Sequence, residues 1–334
     1  MNDFWKELST PVFVLAPMED VTDTVFREIV LSCSSPGKIH IMFTEFVSVD
    51  GLCHPKGRDA VMHRLYVNET EQKLLKNTNT RLVAQIWGND PEKFNQASKL
   101  ISELGGVDGI DINMGCPAAK IVKQGACSAL IGQNQLVSEI IQATAEGSSL
   151  PVSVKTRTGI KQHITEEWIS HLLSCNLSAI TLHARTQKMM SEKPADWSHV
   201  KTAVEIRNKS NIPVKIIGNG DVSNYSHGIE LIEYSGADGA MTGRGIFSDP
   251  WFFNPDVKTP SIKQKLSLLL KHVQLFENTW ESSKNYNILK RFFKIYVHGF
   301  DGAAALRKQL METKTATEAI TITSGYLKNS DFQE

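Results

Sequence analysis

A chain of 334 residues with 36 Lys+Arg against 36 Asp+Glu carries no formal net charge. That balance excludes a polycationic nucleic-acid binder, and any polyanion site must come from charge segregated on one face. At 41% hydrophobic and 22% charged residues, the composition is that of an ordinary globular protein, long enough to bury a large core. The cysteines (Cys33, Cys53, Cys116, Cys127 and Cys175) form no C-x-x-C pair. This argues against a disulfide framework or a zinc ribbon and for a reducing, cytoplasmic setting. No basic segment followed by an apolar run opens the chain, so no signal peptide is read. No apolar stretch approaches the ~20 residues of a membrane span. The expectation is a monomer with no metal and no membrane.

Short β-branched runs recur in chain order: VFVLAPM (12–18), IHIMFTEF (39–46), RLVAQIWG (81–88), GIDINMG (109–115), PVSVKTR (151–157), AITLHART (179–186), PVKIIGNG (213–220) and GAMTGRG (239–245). Helix-like segments such as DPEKFNQASKLISELG lie between them. Strands alternating with helices imply right-handed βαβ units and a parallel sheet. That many units in about 250 residues match a TIM (β/α)8 barrel. An open doubly wound sheet is the competitor, but no G-x-G-x-x-G follows the first strand. The stretch from Gly51 to Arg81 reads as an insertion with no assigned element.

From about residue 255 only amphipathic helical patterns follow, in SIKQKLSLLLKHVQLFENTW, NYNILKRFFKIYVHGF, AAALRKQLME and TEAITITSGYL. The expected organisation is a barrel over 1–254 and a small all-helical domain over 255–334, divided near Pro255 to Pro260. Basic residues cluster in the second part as Lys290, Arg291, Lys294, Arg307 and Lys308. Such a run is ordinarily a solvated helix face. Here Lys290 and Lys294 are expected on one face of a helix, with Phe292, Phe293 and Ile295 in the core.

In a TIM barrel the chemistry sits at the C-terminal ends of the strands. Alternation places Val83, Gln85 and Trp87 on one face, and likewise Asp111 with Asn113, Ser153 with Lys155 and Arg157, and Thr181 with His183 and Arg185. A lone Lys, His or Gln at a strand end carries little weight; convergence from several strands on one mouth carries more. GNGDV (218–222) and TGRGIF (242–247) are glycine-rich turns after the last two strands, where the backbone can approach a phosphate. Tight barrel turns also want glycine, but Arg244 would add a charge-assisted contact. Cys116 stands between Gly115 and Pro117 just where a strand ends, on a loop and not inside the strand. Cys33 and Cys175 lie in helix-like stretches and are read as small buried hydrophobes; Cys127 is read as structural.

Taken in order, APMEDVTDTVFR (16–27), TEF (44–46), QIWGNDP (85–91), DINMGCP (111–117), VKTR (154–157), LHART (182–186), NGD (219–221) and GRGIFSDPWFF (243–253) resemble the tRNA-dihydrouridine synthase family. The resemblance spans the barrel and, more loosely, the helical tail. It implies FMN as cofactor, NADPH as electron donor and a uridine in tRNA as substrate. By the resemblance, Ala16, Pro17 and Met18 pack against the flavin ring. Gln85 and Lys155 contact its polar edge, with His183 beside it. Asn219, Gly220, Asp221, Gly243 and Arg244 hold the ribityl chain and phosphate. Asn113 touches the uracil, Cys116 matches the catalytic cysteine, and Arg157 and Arg185 join the substrate set. Lys290, Arg291 and Lys294 grip the tRNA backbone.

The implied reaction explains the cysteine. Reducing the carbon 5–carbon 6 bond of uracil needs a hydride at carbon 6 and a proton at carbon 5. An ordinary thiol, with a pKa near ~8.5, is protonated at neutral pH and can give that proton. Asp20 stands where the family commonly has glycine in APMxG, and Asp tolerates a left-handed backbone better than most residues. Trp87 is bulkier than usual at its position, and the basic residue after GCP is Lys120. A flavin barrel acting on a small molecule, like dihydroorotate dehydrogenase, shares the cofactor signals but needs no basic helical domain. A non-catalytic RNA-binding barrel has no use for Cys116, Lys155 and His183 together.

Overall fold

In the computed structural model of the chain, residues 3–329 are described. The predicted runs become β1 (Val12–Leu15), β2 (Ile41–Phe43), β3 (Arg81–Trp87), β4 (Gly109–Met114), β5 (Val152–Arg157), β6 (Ala179–His183), β7 (Lys215–Asn219) and β8 (Gly239–Thr242). Each pairs in parallel with the next, and β8 returns to β1 with Gly239 opposite Val12. The sheet is therefore a closed barrel without an edge. The second run is broken: after β2 the backbone leaves the ladder at 44–46, and Val47–Ser48 rejoins it beside Ile86 and Trp87. Most strands stop short of their runs, because residues such as Ala16–Met18 and Ala184–Thr186 already belong to the irregular mouth.

Period-two alternation sets the interior. Val12, Val14, Ile41, Phe43, Val83, Ala179, Ile217 and Met241 fill it. Phe4, on the short first helix Phe4–Glu7, lies against Gly109 at the start of β4, so that helix closes the N-terminal floor. Outward residues such as Phe13, Leu15, Ile112 and Val154 pack under the helices. The floor is mostly apolar; Arg81 and Lys215, in register with inward Ile41 and Ala179 at the strand starts, are paired with Asp108 and Asp238, and the other polar inward positions lie toward the C-terminal mouth.

The stretch left unassigned by the sequence folds as helices Val49–Cys53, Pro55–Met62 and Glu69–Thr78, with a 3-10 turn at His63–Leu65. One buried ion pair fastens it. The Arg27 guanidinium donates to Glu71 at 2.5 Å, and both side chains are fully buried. Its remaining N–H groups reach the carbonyls of Thr22 and Tyr66.

The tail begins with helix Ile262–Trp280, opened by a capping box between Ser261 and Gln264, and ends with helices Ala303–Glu312 and Ala316–Asn329. The single helix expected across 285–300 is not formed. A 3-10 helix (Tyr286–Phe292) passes into a short α-helix (Phe293–Tyr296). Leu289, Phe292, Phe293, Ile295, Tyr296 and Val297 are all buried. Leu289 and Phe292, three apart, suit the tighter helix, and the full set cannot share one stripe of a straight α-helix. Lys290 and Lys294 therefore do not lie on one continuous α-helix. Arg307 donates to the Val297 carbonyl at 2.7 Å, a structural contact. Phe292 sits 4.9 Å from Phe26 and 6.0 Å from Phe247, so tail and barrel share one core.

Arg27→Met strands the Glu71 carboxylate in that core. Urea unfolding at pH 7 should show a loss of about 3–5 kcal/mol, whereas Arg27→Met/Glu71→Leu should lose less than the single variant.

Candidate active site

The barrel mouth opens into a cleft of about 590 Å³. Every barrel residue singled out from the sequence lines it: Ala16, Pro17 and Met18 after β1, Gln85 on β3, Asn113 and Cys116 at the end of β4, Lys155 and Arg157 on β5, His183 and Arg185 after β6, Asn219, Gly220 and Asp221 after β7, and Gly243 and Arg244 after β8. Lys290, Arg291 and Lys294 do not line it. Arg291 instead reaches its rim, 3.6 Å from the Asp20 carboxylate, while the Lys290 ammonium lies over the Tyr286 ring at 5.9 Å.

A directional hydrogen-bond chain underlies the cleft. Asp111 is wholly buried. It accepts from Ser153 Oγ at 2.6 Å and from Gln85 Nε2 at 2.7 Å. Gln85 Oε1 then faces Asn113 Nδ2 at 2.9 Å. Asn113 Oδ1 is left to accept the N–H groups of Gly115 and Cys116, both at 3.0 Å. Burial pushes the Asp111 carboxyl up to about 6, although Ser153, Gln85 and Lys155 pull the other way. The sequence placed Asp111 and Ser153 on the inward face without giving them a part in the site. Asn113, expected to touch uracil, has its carbonyl oxygen committed to the cysteine loop.

The loop carrying Cys116 is tied from two further sides. Arg157 Nε donates to the Gly115 carbonyl at 2.7 Å, and Ser128 Oγ to the Cys116 carbonyl at 2.8 Å. Arg157 also reaches the carbonyls of Thr186 and Met190, so it joins three mouth loops. Cys127, read from the sequence as merely structural, is the neighbour that most strongly lowers the pKa of the Cys116 thiol. It is fully buried and sits at φ 55°, a left-handed backbone that favours glycine. Nothing in the chain's periodicity points to it, because the contact arises where the loop folds back on itself.

These neighbours change the cysteine. Donation from Cys127, the Ala118 N–H, and the charges of Arg157 and Lys155 outweigh burial and bring the Cys116 thiol down to about 6. The thiol is therefore more acidic than the ordinary thiol expected from the sequence, and its surroundings favour the thiolate. Burial and Arg157 push Lys155 down to about 8, so it stays protonated. Burial and the surrounding cations hold His183 neutral. Its Nε2 lies 3.0 Å from Arg185 Nη1, which can only donate, so the imidazole proton is on Nδ1.

Arg185 is buried and committed to neighbours. It donates to both Asp221 oxygens at 2.7 and 2.6 Å and to the Lys193 carbonyl. Burial raises the Asp221 carboxyl, but Arg185 and the Ala195 N–H hold it below its usual value. Arg244 stands 3.4 Å from Asp221 and is mostly exposed. Gly220, at φ 123°, could not carry a side chain: a Cβ there would lie 2.7 Å from Ala195 Cβ. A Cβ on Gly243 would meet nothing closer than 3.7 Å, so the gap between the two turns is open. Lys155, Arg157, Arg185 and Arg244 outnumber Asp221 and the deeper Asp111, and the cleft is cationic in a chain of no net charge.

The sequence profile of the dihydrouridine synthase (Dus) family matches residues 14–331. The chain belongs to this family. It is 41% identical over 322 residues to a probable tRNA-dihydrouridine synthase of Staphylococcus aureus (strain MRSA252), covering 95% of this chain and 94% of that protein. It is 42% identical over 320 residues, with the same coverage, to probable tRNA-dihydrouridine synthase 2 of Bacillus subtilis (strain 168). The motifs that resembled the family in the sequence are the ones that meet in the cleft of this dihydrouridine synthase.

The two-cysteine contact is testable by thiol chemistry. Iodoacetamide alkylation of Cys116, followed by mass spectrometry across pH, should show a midpoint near 6. Cys127→Gly keeps the backbone and removes the donor, so the midpoint should move up toward the ordinary ~8.5. An unmoved midpoint would mean that Cys127 does not tune Cys116.

Proposed function

We propose that this dihydrouridine synthase reduces a uridine of tRNA to 5,6-dihydrouridine, with FMN as cofactor, NADPH as electron donor and Cys116 as proton donor. One observation carries the reading: a tuned thiol on a tied loop shares a cationic cleft with the half-buried ammonium of Lys155, which faces the cleft and makes no hydrogen bond among the described residues. An unpaired cation directed into a cleft suits an acceptor from a ligand.

The residues present fit FMN. Ala16, Pro17 and Met18 offer an apolar wall for a flat ring. Lys155 and Gln85 face the same space and would hold the polar edge of that ring. The open gap between Gly220 and Gly243, flanked by Arg244, suits a phosphate. When bound and reduced, FMN supplies the hydride equivalent that uracil carbon 6 requires.

The chain's own residues do the rest. A neutral base settling over Cys116 removes the remaining water from the sulfur, and desolvation favours the protonated thiol. The Cys116 Sγ–H bond then breaks as the proton passes to uracil carbon 5. Arg157, Lys155 and the Cys127 thiol stabilise the thiolate left behind. Solvent supplies the next proton as the following substrate settles over the sulfur. Residues 1–254 are proposed as the catalytic domain and 255–334 as the part that grips the tRNA backbone. Exposed Lys294, together with Lys290 and the rim-facing Arg291, supports that division of labour.

The deciding experiment is oxidation of NADPH by the purified, flavin-loaded protein: stimulation by unmodified tRNA and not by orotate-like small molecules supports the reading, and the reverse overturns it. Cys116→Ala should keep FMN yet lose about 10²–10⁴-fold in single-turnover dihydrouridine formation. Because the acting form is the protonated thiol, the wild-type rate should fall as pH rises, with a midpoint at or above about 6. A rate that climbs through the same range would assign the proton to another group. Arg244→Ala should weaken FMN binding by roughly tenfold or more, read by titration of the apoprotein. Unchanged affinity would place the phosphate elsewhere.

A further inference from the structure

The mouth turn Pro17–Asp20 forms one wall of the cleft, and its backbone is unusual. Asp20 is left-handed, at φ 54°. Its N–H donates to Glu45 Oε1 at 2.7 Å. The second oxygen of Glu45 accepts from the ammonium of Lys284 at 3.1 Å, and the same ammonium donates to Asp23 Oδ2 at 3.0 Å. Asp23 in turn caps the helix that follows the turn, by accepting the Phe26 N–H. Lys284 comes from the tail, more than two hundred residues away in sequence, just beyond helix Ile262–Trp280. Its side chain is only 7% exposed, and those of Asp23 and Glu45 are 8% and 1% exposed. The Trp280 ring covers it at 4.3 Å, and Trp280 Nε1 also donates to Asp23 Oδ2 at 2.9 Å.

Two buried carboxylates thus meet one buried cation, supplied by another part of the chain. Buried groups of this kind are costly unless each is paired. Without the cation, two like charges face each other with little water, and one must take a proton or the turn must open. Either change disturbs the acceptor that holds Asp20 in its left-handed form, and with it the Met18 wall.

We propose that Lys284 is a positioning residue for the cleft: through Glu45 it fixes the Pro17–Asp20 turn and so pre-forms the wall against which the cofactor packs. The proposal rests on the FMN reading for its second measurement only. The helical tail then has a task inside the barrel, besides any contact with RNA. The ammonium does not reach the reacting atoms, and it acts through the turn.

The test compares Lys284→Met, Lys284→Arg and Glu45→Gln in the full chain. Hydrogen exchange is read by mass spectrometry over the peptide containing residues 16–23, and FMN affinity by titration of the apoproteins. Lys284→Met should speed exchange in that peptide by roughly tenfold or more, leave the β4–β7 strands at wild-type rates, and weaken FMN by about tenfold or more. Lys284→Arg, which restores the charge, should recover both to within about threefold. Glu45→Gln, close in volume, should speed the same peptide if Lys284→Met proves too unstable to handle. Wild-type exchange in both Lys284→Met and Glu45→Gln overturns the proposal. So does an equal defect in the Met and Arg variants, because the charge would then be irrelevant. If the local exchange behaves as expected while the wild-type apoprotein fails to bind FMN, the cofactor reading falls and the positioning role stands.

Discussion

A single buried carboxylate orients the loop that carries Cys116. Asp111 can only accept, and so Gln85 must present its amino group to it. That leaves the Gln85 oxygen for the Asn113 amino group, and the Asn113 oxygen for the N–H groups of Gly115 and Cys116. Each amide has two orientations of nearly equal shape, and in isolation neither would be preferred. An acceptor-only group at the base of the chain removes the choice from both at once. The loop bearing the thiol is thereby aimed by an element lying beneath the cleft. The arrangement requires an ionised or strongly polarised Asp111 in a place where burial disfavours charge; Ser153 and the field of Lys155 offset that penalty.

The same logic, a buried charge held by partners from distant chain segments, recurs at the two joints between the barrel and its additions. Arg27 and Glu71 fix the insertion between β2 and β3 to the helix after β1. Lys284 fixes the tail to that helix and to the residue after β2. Both joints converge on residues 17–27, and this segment supplies the cleft wall. A desolvated pair gains little stability over well-packed hydrophobes of similar volume. What it adds here is direction: apolar packing tolerates small slides, whereas a short N–H···O contact to a fixed oxygen does not. The shared aromatic core around Phe26, Phe247 and Phe292 gives cohesion, and the ion pairs set the register.

The barrel, and the inward placement of part of its mouth, were legible in the sequence because both follow from a period of two; the remaining mouth residues came from the family resemblance. Once the runs are recognised, alternation decides that Gln85, Asn113, Lys155 and His183 point inward together, and the strand direction decides which end they occupy. Features that depend on tertiary return were not legible. Cys127 faces Cys116 only because a loop folds back. Lys284 is one lysine among many until Asp23 and Glu45 surround it. The insertion at 51–81 hides its helices behind Pro55, Gly57 and a run of polar residues with little periodic contrast. The tail segment 285–300 has helical composition, but its apolar residues are too closely spaced for one α-helical stripe, so the chain tightens and then turns. The ordinary acidity expected for Cys116 failed for a similar reason: pKa is a property of surroundings, and the donors that lower it come from three separate stretches.

The tuning of Cys116 bears on the role proposed for it, since a proton donor would there sit in a very basic setting. An acid that must release its proton within a cation-rich cleft is helped at the moment of release, since the thiolate is the form the neighbours favour. The same neighbours hinder it beforehand, by favouring the thiolate in the free enzyme. The two demands are reconciled only if protonation is coupled to occupancy. A neutral ring that covers the sulfur removes water without adding charge, so the thiol regains its proton when the substrate is in place and loses it when carbon 5 can accept it. A loop beyond the strand end suits this cycle. On the strand, Cys116 would be sealed from the solvent that must reprotonate it; free in solvent, it would feel neither Lys155 nor Arg157. The ties from Asn113, Arg157 and Ser128 hold it at the boundary between those two conditions.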